Sequence, residues 1–122
     1  MQQVAVAATL LTVVACKPPP DDRTSLSADA AERGKAAIER VSCGSCHAIP
    51  GIDWPRGGAG PSLEDFDDVG LIAGALPNTP GNLAAFVRDA PAAKPGSTMP
   101  PMPITAAEAE DVAAYLYGMN DE

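Results

Sequence analysis

Apolar residues after position 27 recur at spacings of three and four, the pattern of helices that bury one face. The first such segment follows Ser27, a suitable N-cap, and places Asp29 in its first turn. Its apolar stripe consists of Ala30, Gly34, Ala37, Ile38 and Val41. The pattern therefore predicts a helix that ends shortly before Cys43.

Two further helices are predicted from their first turns. In "TPGN", Thr79 is a suitable N-cap and Pro80 occupies the first helical position; in "TAAE", Thr105 and Glu108 form a capping-box pattern. The predicted buried faces are Leu83, Phe86 and Val87 in the second helix, and Val112, Tyr115, Leu116 and Met119 in the third. Gly- and Pro-rich loops separate the helices, and no stretch alternates apolar and polar residues long enough to predict a sheet. The predicted fold class is all-α.

The N-terminus carries an apolar run from Val4 to Ala15. It is shorter than the roughly 20 residues that span a bilayer as a helix, and it matches the apolar part of an export signal. The run ends in "VVAC", which resembles a bacterial lipobox, so residues 1–16 are predicted to be a signal peptide with Cys16 as the lipidated residue. An ordinary signal peptide is the alternative, and it would leave Cys16 as a free thiol.

Residues 17–26 follow with a proline run, Pro18 to Pro20, and then charged residues without apolar periodicity. Consecutive prolines favour an extended, stiff chain, so this segment is predicted to be a tether. Residues 27–122 are predicted to form one domain. We expect an exported protein that is held by lipid on the periplasmic side of the cytoplasmic membrane.

Composition limits how this domain can be stabilised. The chain of 122 residues has one Trp, two Tyr and two Phe, against 13 Pro and 11 Gly. Such a domain has a thin apolar core, and small domains of this kind depend on disulfides, a metal or a large cofactor. Because the chain has only three cysteines, at most one disulfide can form within it. A cofactor is the better prediction.

The stretch "VSCGSCHAIP" places Cys43, Cys46 and His47, the only histidine, within five positions. In a helical turn, two side chains three positions apart project from one side. Two thiols so placed can form thioethers with the vinyl groups of a haem, and the adjacent imidazole can bind the iron. CxxCH is the attachment motif of c-type haem. We therefore predict one covalently bound haem c.

Three other uses of this motif fit the sequence less well. A structural zinc site needs four ligands, and apart from Cys16 the chain offers no further Cys or His. A thiol redox pair is expected beside a βαβ pattern and at a helix N-terminus, whereas Cys43 follows a predicted helix. A structural disulfide between Cys43 and Cys46 leaves His47 without a role.

One histidine supplies one axial bond, so the sixth position of the iron belongs to another residue or stays open. Met1 is removed with the signal peptide, and Met119 is predicted to lie on a buried helix face. The loop "KPGSTMPPMP" contains the remaining methionines, and its prolines would hold a weakly binding thioether in place. Met99 is the predicted ligand; Met102 or an open site are the alternatives.

The segments "GKAAIERVSCGSCHAIPG", "GAGPSL", "LPNTPGNLAAFVRDAPAAKPGSTMP" and "AEDVAAYLYGM" together resemble a class I c-type cytochrome, over about residues 30 to 119. The resemblance implies a fold in which three main helices pack around a covalently attached haem. It also implies that the first and last helices cross where Gly34 and Ile38 meet Val112 and Tyr115. The carbonyl of Pro61 would accept a hydrogen bond from the imidazole of His47.

The chain departs from that family in two ways. Where relatives often carry a tryptophan that reaches a haem propionate, this chain has Phe86, so Trp54 and Arg56 become candidate propionate contacts or else surface residues. The net charge is −8, whereas mitochondrial carriers of the family are basic around the haem. Acidic clusters at 64–68 and 108–111 are expected to be solvated faces, or surfaces that steer a basic partner. This charge argues against nucleic acid as a partner.

These features predict a one-electron carrier of a respiratory chain, not an enzyme in its own right, and no small-molecule substrate. The expected partners are a quinol-oxidising complex upstream and a terminal oxidase or other reductase downstream. A haem-based gas sensor with a displaceable methionine is one alternative. A dedicated haem subunit of an oxidase or dehydrogenase is the other.

Overall fold

The computed structural model describes residues 26–118, and its main elements are helices. Their order is α1, α2, α3 and α4, with a pair of short strands, β1 and β2, before α2. The elements are α1 Ala28–Arg40, β1 Leu71–Ile72, β2 Leu76–Pro77, α2 Pro80–Arg88, α3 Ala90–Ala93 and α4 Ala106–Gly118, with 3₁₀ turns at Cys43–Ser45 and Phe66–Asp68. The all-α prediction is confirmed. The predicted signal peptide, Cys16, nearly all of the predicted tether and Met119 lie outside the described residues.

The three predicted N-caps begin the three main helices. Ser27 Oγ accepts a hydrogen bond from the N–H of Ala30 at 3.1 Å, and Thr79 Oγ1 accepts one from Asn82 at 3.3 Å. At α4 both halves of the capping box form: Glu108 N–H donates to Thr105 Oγ1 at 3.2 Å, and Thr105 N–H donates to Glu108 Oε2 at 2.7 Å. Local side-chain chemistry therefore sets where each main helix starts.

Two short elements were not predicted. The expectation of no sheet is corrected by an antiparallel hairpin, in which Leu71 pairs with Pro77 and Ile72 with Leu76. Strands of two residues are too short to show an alternating pattern, and so they give no sequence signal. Helix α3 has only four residues and lies directly before the predicted methionine loop; at its start, Asp89 Oδ1 accepts a hydrogen bond from Ala92 N–H at 3.1 Å.

The core lies where α1 crosses α4 and α2 packs beside them. Gly34 of α1 lies directly against the backbone of α4. A Cβ at this position would be only 1.9 Å from the carbonyl oxygen of Asp111. This contact agrees with the helix crossing that the family resemblance implies. The buried side chains around it are Ala37, Ile38, Ile49, Ile52, Phe66, Ile72, Leu83, Ala84, Ala109, Val112, Ala113 and Leu116. Between residues 26 and 118, no helix is both long and apolar enough to cross a membrane.

The hydroxyl of Tyr117 ties the end of α4 to the segment before α2. It donates to Oδ1 of Asn78, and the Asn78 side-chain amide donates in turn to the carbonyls of Phe66, at 3.0 Å, and Val69, at 2.7 Å. The ring of Tyr117 also meets Phe66 edge to face, with 5.6 Å between ring centroids. Burial raises the pKa of Tyr117 to about 12. The hydroxyl therefore stays protonated and remains a donor at physiological pH.

Two ion pairs join α1 to α4 on the outer surface. Arg33 binds both carboxylate oxygens of Asp111, at 2.8 and 2.9 Å, and Arg40 Nη2 lies 2.5 Å from Glu108 Oε1. The pKa of Glu108 is lowered, first by the backbone N–H and hydroxyl of Thr105 and also by Arg40. Part of the predicted acidic cluster at 108–111 is therefore paired within the chain.

The substitution Glu108→Gln is expected to lower the free energy of unfolding at neutral pH. A carboxyl group whose pKa is depressed on folding stabilises the protein above its unfolded-state pKa, and this contribution disappears as the pH falls through the folded-state pKa. The difference between wild type and variant should therefore shrink between about pH 7 and about pH 3 in urea unfolding curves. Glu110→Gln, an exposed position on the same helix, is the control. Parallel stability curves for wild type and Glu108→Gln across this range would contradict the prediction.

Candidate functional site

The CxxCH segment forms a tight turn directly after α1. Ser42 adopts a left-handed conformation, with φ 59° and ψ 44°, and redirects the chain into the 3₁₀ turn Cys43–Ser45. The N–H groups of Cys46 and His47 both donate to the carbonyl of Cys43, at 3.2 and 3.1 Å. This turn brings the backbone of both cysteines and the histidine together. It is a helical turn, as predicted, but of the narrower 3₁₀ type.

The two thiols differ in their surroundings. Cys43 is half-buried and packs against the apolar core, whereas Cys46 is exposed, and neither forms a disulfide within the described residues. The pKa of Cys43 is raised, mainly by burial and also by the neighbouring Cys46. Cysteines of thiol redox enzymes have lowered pKa values, because the thiolate is the reactive form. The environment of Cys43 therefore lacks the feature on which thiol exchange depends.

The imidazole of His47 is oriented by Pro61. Nδ1 of His47 lies 2.7 Å from the carbonyl oxygen of Pro61. A carbonyl oxygen can only accept a hydrogen bond, so Nδ1 carries the proton and donates it. In a neutral imidazole this tautomer has its lone pair on Nε2, which is the form in which an imidazole binds a metal. Pro61 is thus placed where the family resemblance implies.

A loop from Gly57 to Leu63 runs beside the CxxCH turn and holds it by backbone hydrogen bonds. The N–H groups of Gly57, Gly60 and Leu63 donate to the carbonyls of Gly44, Cys46 and Ala48, at 2.7, 2.7 and 2.8 Å. The loop approaches so closely that a Cβ on Gly60 would lie 2.4 Å from Cε1 of His47. Sequence reasoning missed this role of Gly60, although the glycine-rich run "GGAG" just before Pro61 gives a signal of close backbone approach.

Tyr115 is a second residue of the site that was predicted only as core. Its hydroxyl donates to the carbonyl of Pro50 at 2.6 Å, and so α4 holds the segment that leaves His47. The pKa of Tyr115 is raised, mainly by burial and also by Glu39. A neutral hydroxyl is the donor that this contact needs.

Trp54 and Arg56 lie on the loop between His47 and Pro61. Trp54 is 86% exposed, while Arg56 forms an ion pair with Glu64 and lowers the pKa of that carboxyl. Both remain predictions as propionate contacts, and Arg56 would have to exchange its present partner. Within residues 26–118, no three His, Cys, Asp or Glu side chains come together as a site for a bare metal ion.

Met99 and Met102 lie in the loop between α3 and α4, and both are half-buried. The loop is anchored on either side of Met99: Ser97 N–H donates to the carbonyl of Lys94 at 3.1 Å, and Met102 N–H donates to the carbonyl of Arg88 at 3.0 Å. Met99 therefore lies between two hydrogen-bonded positions of the loop, and its role as a ligand stays a prediction.

Comparison with known proteins identifies a family that this chain matches. The family model for cytochrome c oxidase, cbb3-type, subunit III, matches residues 29–116. Cytochrome c oxidase subunit 2 of Alkalihalophilus pseudofirmus is 37% identical over 87 residues, which are 70% of this chain and 25% of that protein. Cytochrome c oxidase subunit 2 of Bacillus sp. strain PS3 is 37% identical over 71 residues, 57% of this chain and 20% of that protein.

The chain therefore spans a quarter or less of the length of these curated relatives. No solved structure matches it. The family match nevertheless covers α1, the CxxCH turn, the methionine loop and nearly all of α4. With this match, the chain belongs to the cbb3-type oxidase subunit III family of class I c-type cytochromes, whose prosthetic group is haem c and whose chemistry is electron transfer.

Proposed function

We propose that this protein is a one-electron carrier with a single haem c, bound covalently through Cys43 and Cys46 and ligated by His47 and Met99. The observation that carries the proposal is the hydrogen bond of His47 Nδ1 to Pro61, 2.7 Å long, which leaves Nε2 free on the same turn as two unpaired thiols. When bound, haem c supplies a one-electron couple between ferrous and ferric iron.

The residues present fit such a group. Two thiols can make two thioethers, and a neutral imidazole and a thioether can complete the axial positions. The contact of Gly60 with the imidazole keeps the ring in place from one side. A large apolar group also has surface to cover, since several side chains next to the core stay only partly buried: Leu63, Leu76, Phe86, Val87, Ile104 and Tyr117.

Each axial residue would act in a different way. His47 would bind the iron through the lone pair of Nε2, while the carbonyl of Pro61 accepts a hydrogen bond from Nδ1–H and so raises the basicity of the ligand. Met99 is a soft donor that favours ferrous iron and raises the reduction potential. With both positions filled by the protein, no site would remain open for a substrate, which is the basis for proposing transfer of electrons alone.

The relatives favour a place beside an oxidase. Both curated relatives are oxidase subunits by name, so a terminal oxidase is the proposed electron acceptor and a quinol-oxidising complex the proposed donor. The protein would act there as a mobile carrier or as a dedicated subunit. Lipidation at Cys16 and a location on the periplasmic side of the cytoplasmic membrane are part of this proposal, on the evidence of the N-terminal sequence.

The test of the haem site is a visible spectrum of the purified, haem-loaded protein and of Met99→Ala. Ferric wild type should show the weak far-red charge-transfer band of methionine-ligated haem, and Met99→Ala should lose it, because the sulfur ligand is gone. Met102→Ala is the matched control and should retain the band. If Met99→Ala keeps the band and Met102→Ala loses it, the ligand is Met102.

Two further measurements test the rest of the proposal. Haem staining of a denaturing gel should give a band at the mass of the protein, because thioethers survive unfolding.

The reduced wild-type protein should bind carbon monoxide weakly at neutral pH, because both axial positions are filled. Rapid and tight binding would overturn the electron-carrier proposal in favour of a gas sensor.

A further inference from the structure

Trp54 exposes an unusual amount of apolar surface. The residue is 86% exposed, compared with 45% for Val69 and 46% for Leu71, the other large apolar residues that are exposed within residues 26–118. A tryptophan left in water forgoes the hydrophobic stabilisation that burial of its ring would give. The exposure of this ring therefore calls for a physical reason.

The backbone on both sides of Trp54 is fixed against the CxxCH turn. A Cβ on Gly44 would lie 2.3 Å from the carbonyl oxygen of Pro55 and 3.5 Å from Cγ2 of Ile52, which is itself buried. The N–H of Gly57 donates to the carbonyl of Gly44 at 2.7 Å. The indole is consequently held at the surface beside the turn that carries both cysteines.

The segment 53–68, which contains Trp54, carries five carboxylates and one arginine. Asp53 is exposed next to it, and the positive charge of Arg56 is paired with Glu64. That ion pair joins the loop of Trp54 to the segment 64–68, in which four carboxylates are exposed. The chain as a whole carries a net charge of −8. An apolar ring with an acidic rim is complementary to an apolar recess with a basic rim.

We propose that Trp54 anchors a docking surface for a redox partner whose own surface has an apolar recess surrounded by Lys and Arg. This inference rests on the proposed function, because the surface lies beside the proposed haem attachment turn. In the complex, one electron leaves this protein and reduces the metal centre of the partner by one electron; no bond to the partner is formed or broken.

The acidic rim argues against two other occupants. Anionic lipid headgroups would be repelled by it, and a second copy of this chain would bring the same acidic rim into contact. A basic partner is attracted instead, because opposite charges raise the rate of encounter. Burial of the tryptophan in the complex then contributes a large share of the binding energy.

The kinetic test uses the haem-loaded protein and membranes of the organism that encodes it. Oxidation of the reduced protein by these membranes should have a second-order rate constant about tenfold lower for Trp54→Ala than for wild type, as for loss of an interface hot spot. Oxidation by ferricyanide, a small reagent that needs no docking surface, measures any change in the haem itself. The ratio of the membrane rate constant to the ferricyanide rate constant should therefore also fall about tenfold. Leu71→Ala, which shortens another exposed apolar side chain, is the matched control and should match wild type with both oxidants.

A binding test does not depend on electron transfer. The chain has one tryptophan, so protein labelled with 5-fluorotryptophan gives one ¹⁹F resonance. This resonance should shift or broaden when the membranes are added to the oxidised protein, which the acceptor cannot oxidise further, and high salt should reverse the change. Vesicles of anionic lipid alone should leave it unchanged.

The outcomes separate this inference from the proposed function. Equal oxidation of wild type and Trp54→Ala by the membranes overturns the docking surface, and so does failure of the membranes to oxidise wild type, while the haem spectrum still supports an electron carrier.

A lipid-dependent ¹⁹F shift, or a dimer in solution that Trp54→Ala abolishes, assigns the surface to another occupant and overturns the partner. An altered spectrum of Trp54→Ala places the indole in the haem site and likewise overturns docking. A colourless wild type overturns the proposed function itself.

Discussion

Replacing Gly60 with alanine is expected to displace the imidazole of His47 and to lower both haem loading and stability. A Cβ at this position would lie 2.4 Å from Cε1 and 2.7 Å from Nδ1 of the ring. The ring cannot easily move away, because Nδ1 is bound to the carbonyl of Pro61 at 2.7 Å. Either the loop that contains Gly60 or the hydrogen bond to Pro61 has to yield.

The expected cost is about 2 kcal/mol in the free energy of unfolding, which combines overpacking with a strained hydrogen bond. The measurements are urea unfolding of the haem-loaded protein, the ratio of haem absorbance to protein absorbance after purification, and the visible spectrum. We expect fewer loaded molecules and an altered spectrum, because a tilted imidazole binds iron less well.

Gly58→Ala is the control for this experiment. It makes the same chemical change two positions earlier on the same loop, and a Cβ there would meet no atom within 4 Å. Its stability should stay within about 0.5 kcal/mol of wild type, as for an ordinary surface substitution. Wild-type loading, stability and spectrum in Gly60→Ala would show that the loop moves freely, and the contact would then have no role in holding His47.

Gly34→Ala is expected to be the most destabilising of these single substitutions. Its Cβ would lie 1.9 Å from the carbonyl oxygen of Asp111 and 2.9 Å from the backbone nitrogen of Val112. Both atoms belong to the backbone of α4, so α1 and α4 have to separate. Alanine gains about 1 kcal/mol of helix propensity over glycine, and we expect the clash to exceed this gain and cost a net 3 kcal/mol or so.

That loss is a large share of the total stability of a small domain, so a lower yield of folded protein is expected as well. Urea unfolding of the haem-loaded protein measures it. Gly81→Ala in α2 is the matched control, since a Cβ at this helical position would meet no atom within 4 Å and should be neutral or stabilising by up to about 1 kcal/mol. Equal stability of Gly34→Ala and wild type would refute the close crossing of the two helices.

This helix crossing also supports the proposed site. Helix α1 ends at Arg40, shortly before Cys43, and Tyr115 of α4 holds Pro50 on the other side of the motif. The segment from Cys43 to Pro50 is thus fixed at its start by α1, which packs on α4, and at its end by α4 itself. Separation of the helices should therefore loosen the motif together with the core.

Much of the fold could be predicted because its determinants are local. Ser27, Thr79 and Thr105 are confirmed as N-caps, since a cap bonds to a backbone group within the first turn of its own helix. The same is true of the grouping of Cys43, Cys46 and His47, which lie within one turn by their spacing alone. The contact of Pro61 with His47 followed from the family resemblance, not from the residues themselves.

Tertiary structure alone decided the remaining contacts. Gly60 against His47, Arg56 with Glu64 and the exposure of Trp54 all depend on how separate loops pass one another, and no periodicity in the sequence encodes those paths. The hairpin of β1 and β2 is too short to leave a pattern. Motifs whose partners lie within one turn are determined by the sequence itself, whereas contacts between distant segments exist only once the whole chain has packed, because their geometry is a property of the assembled core.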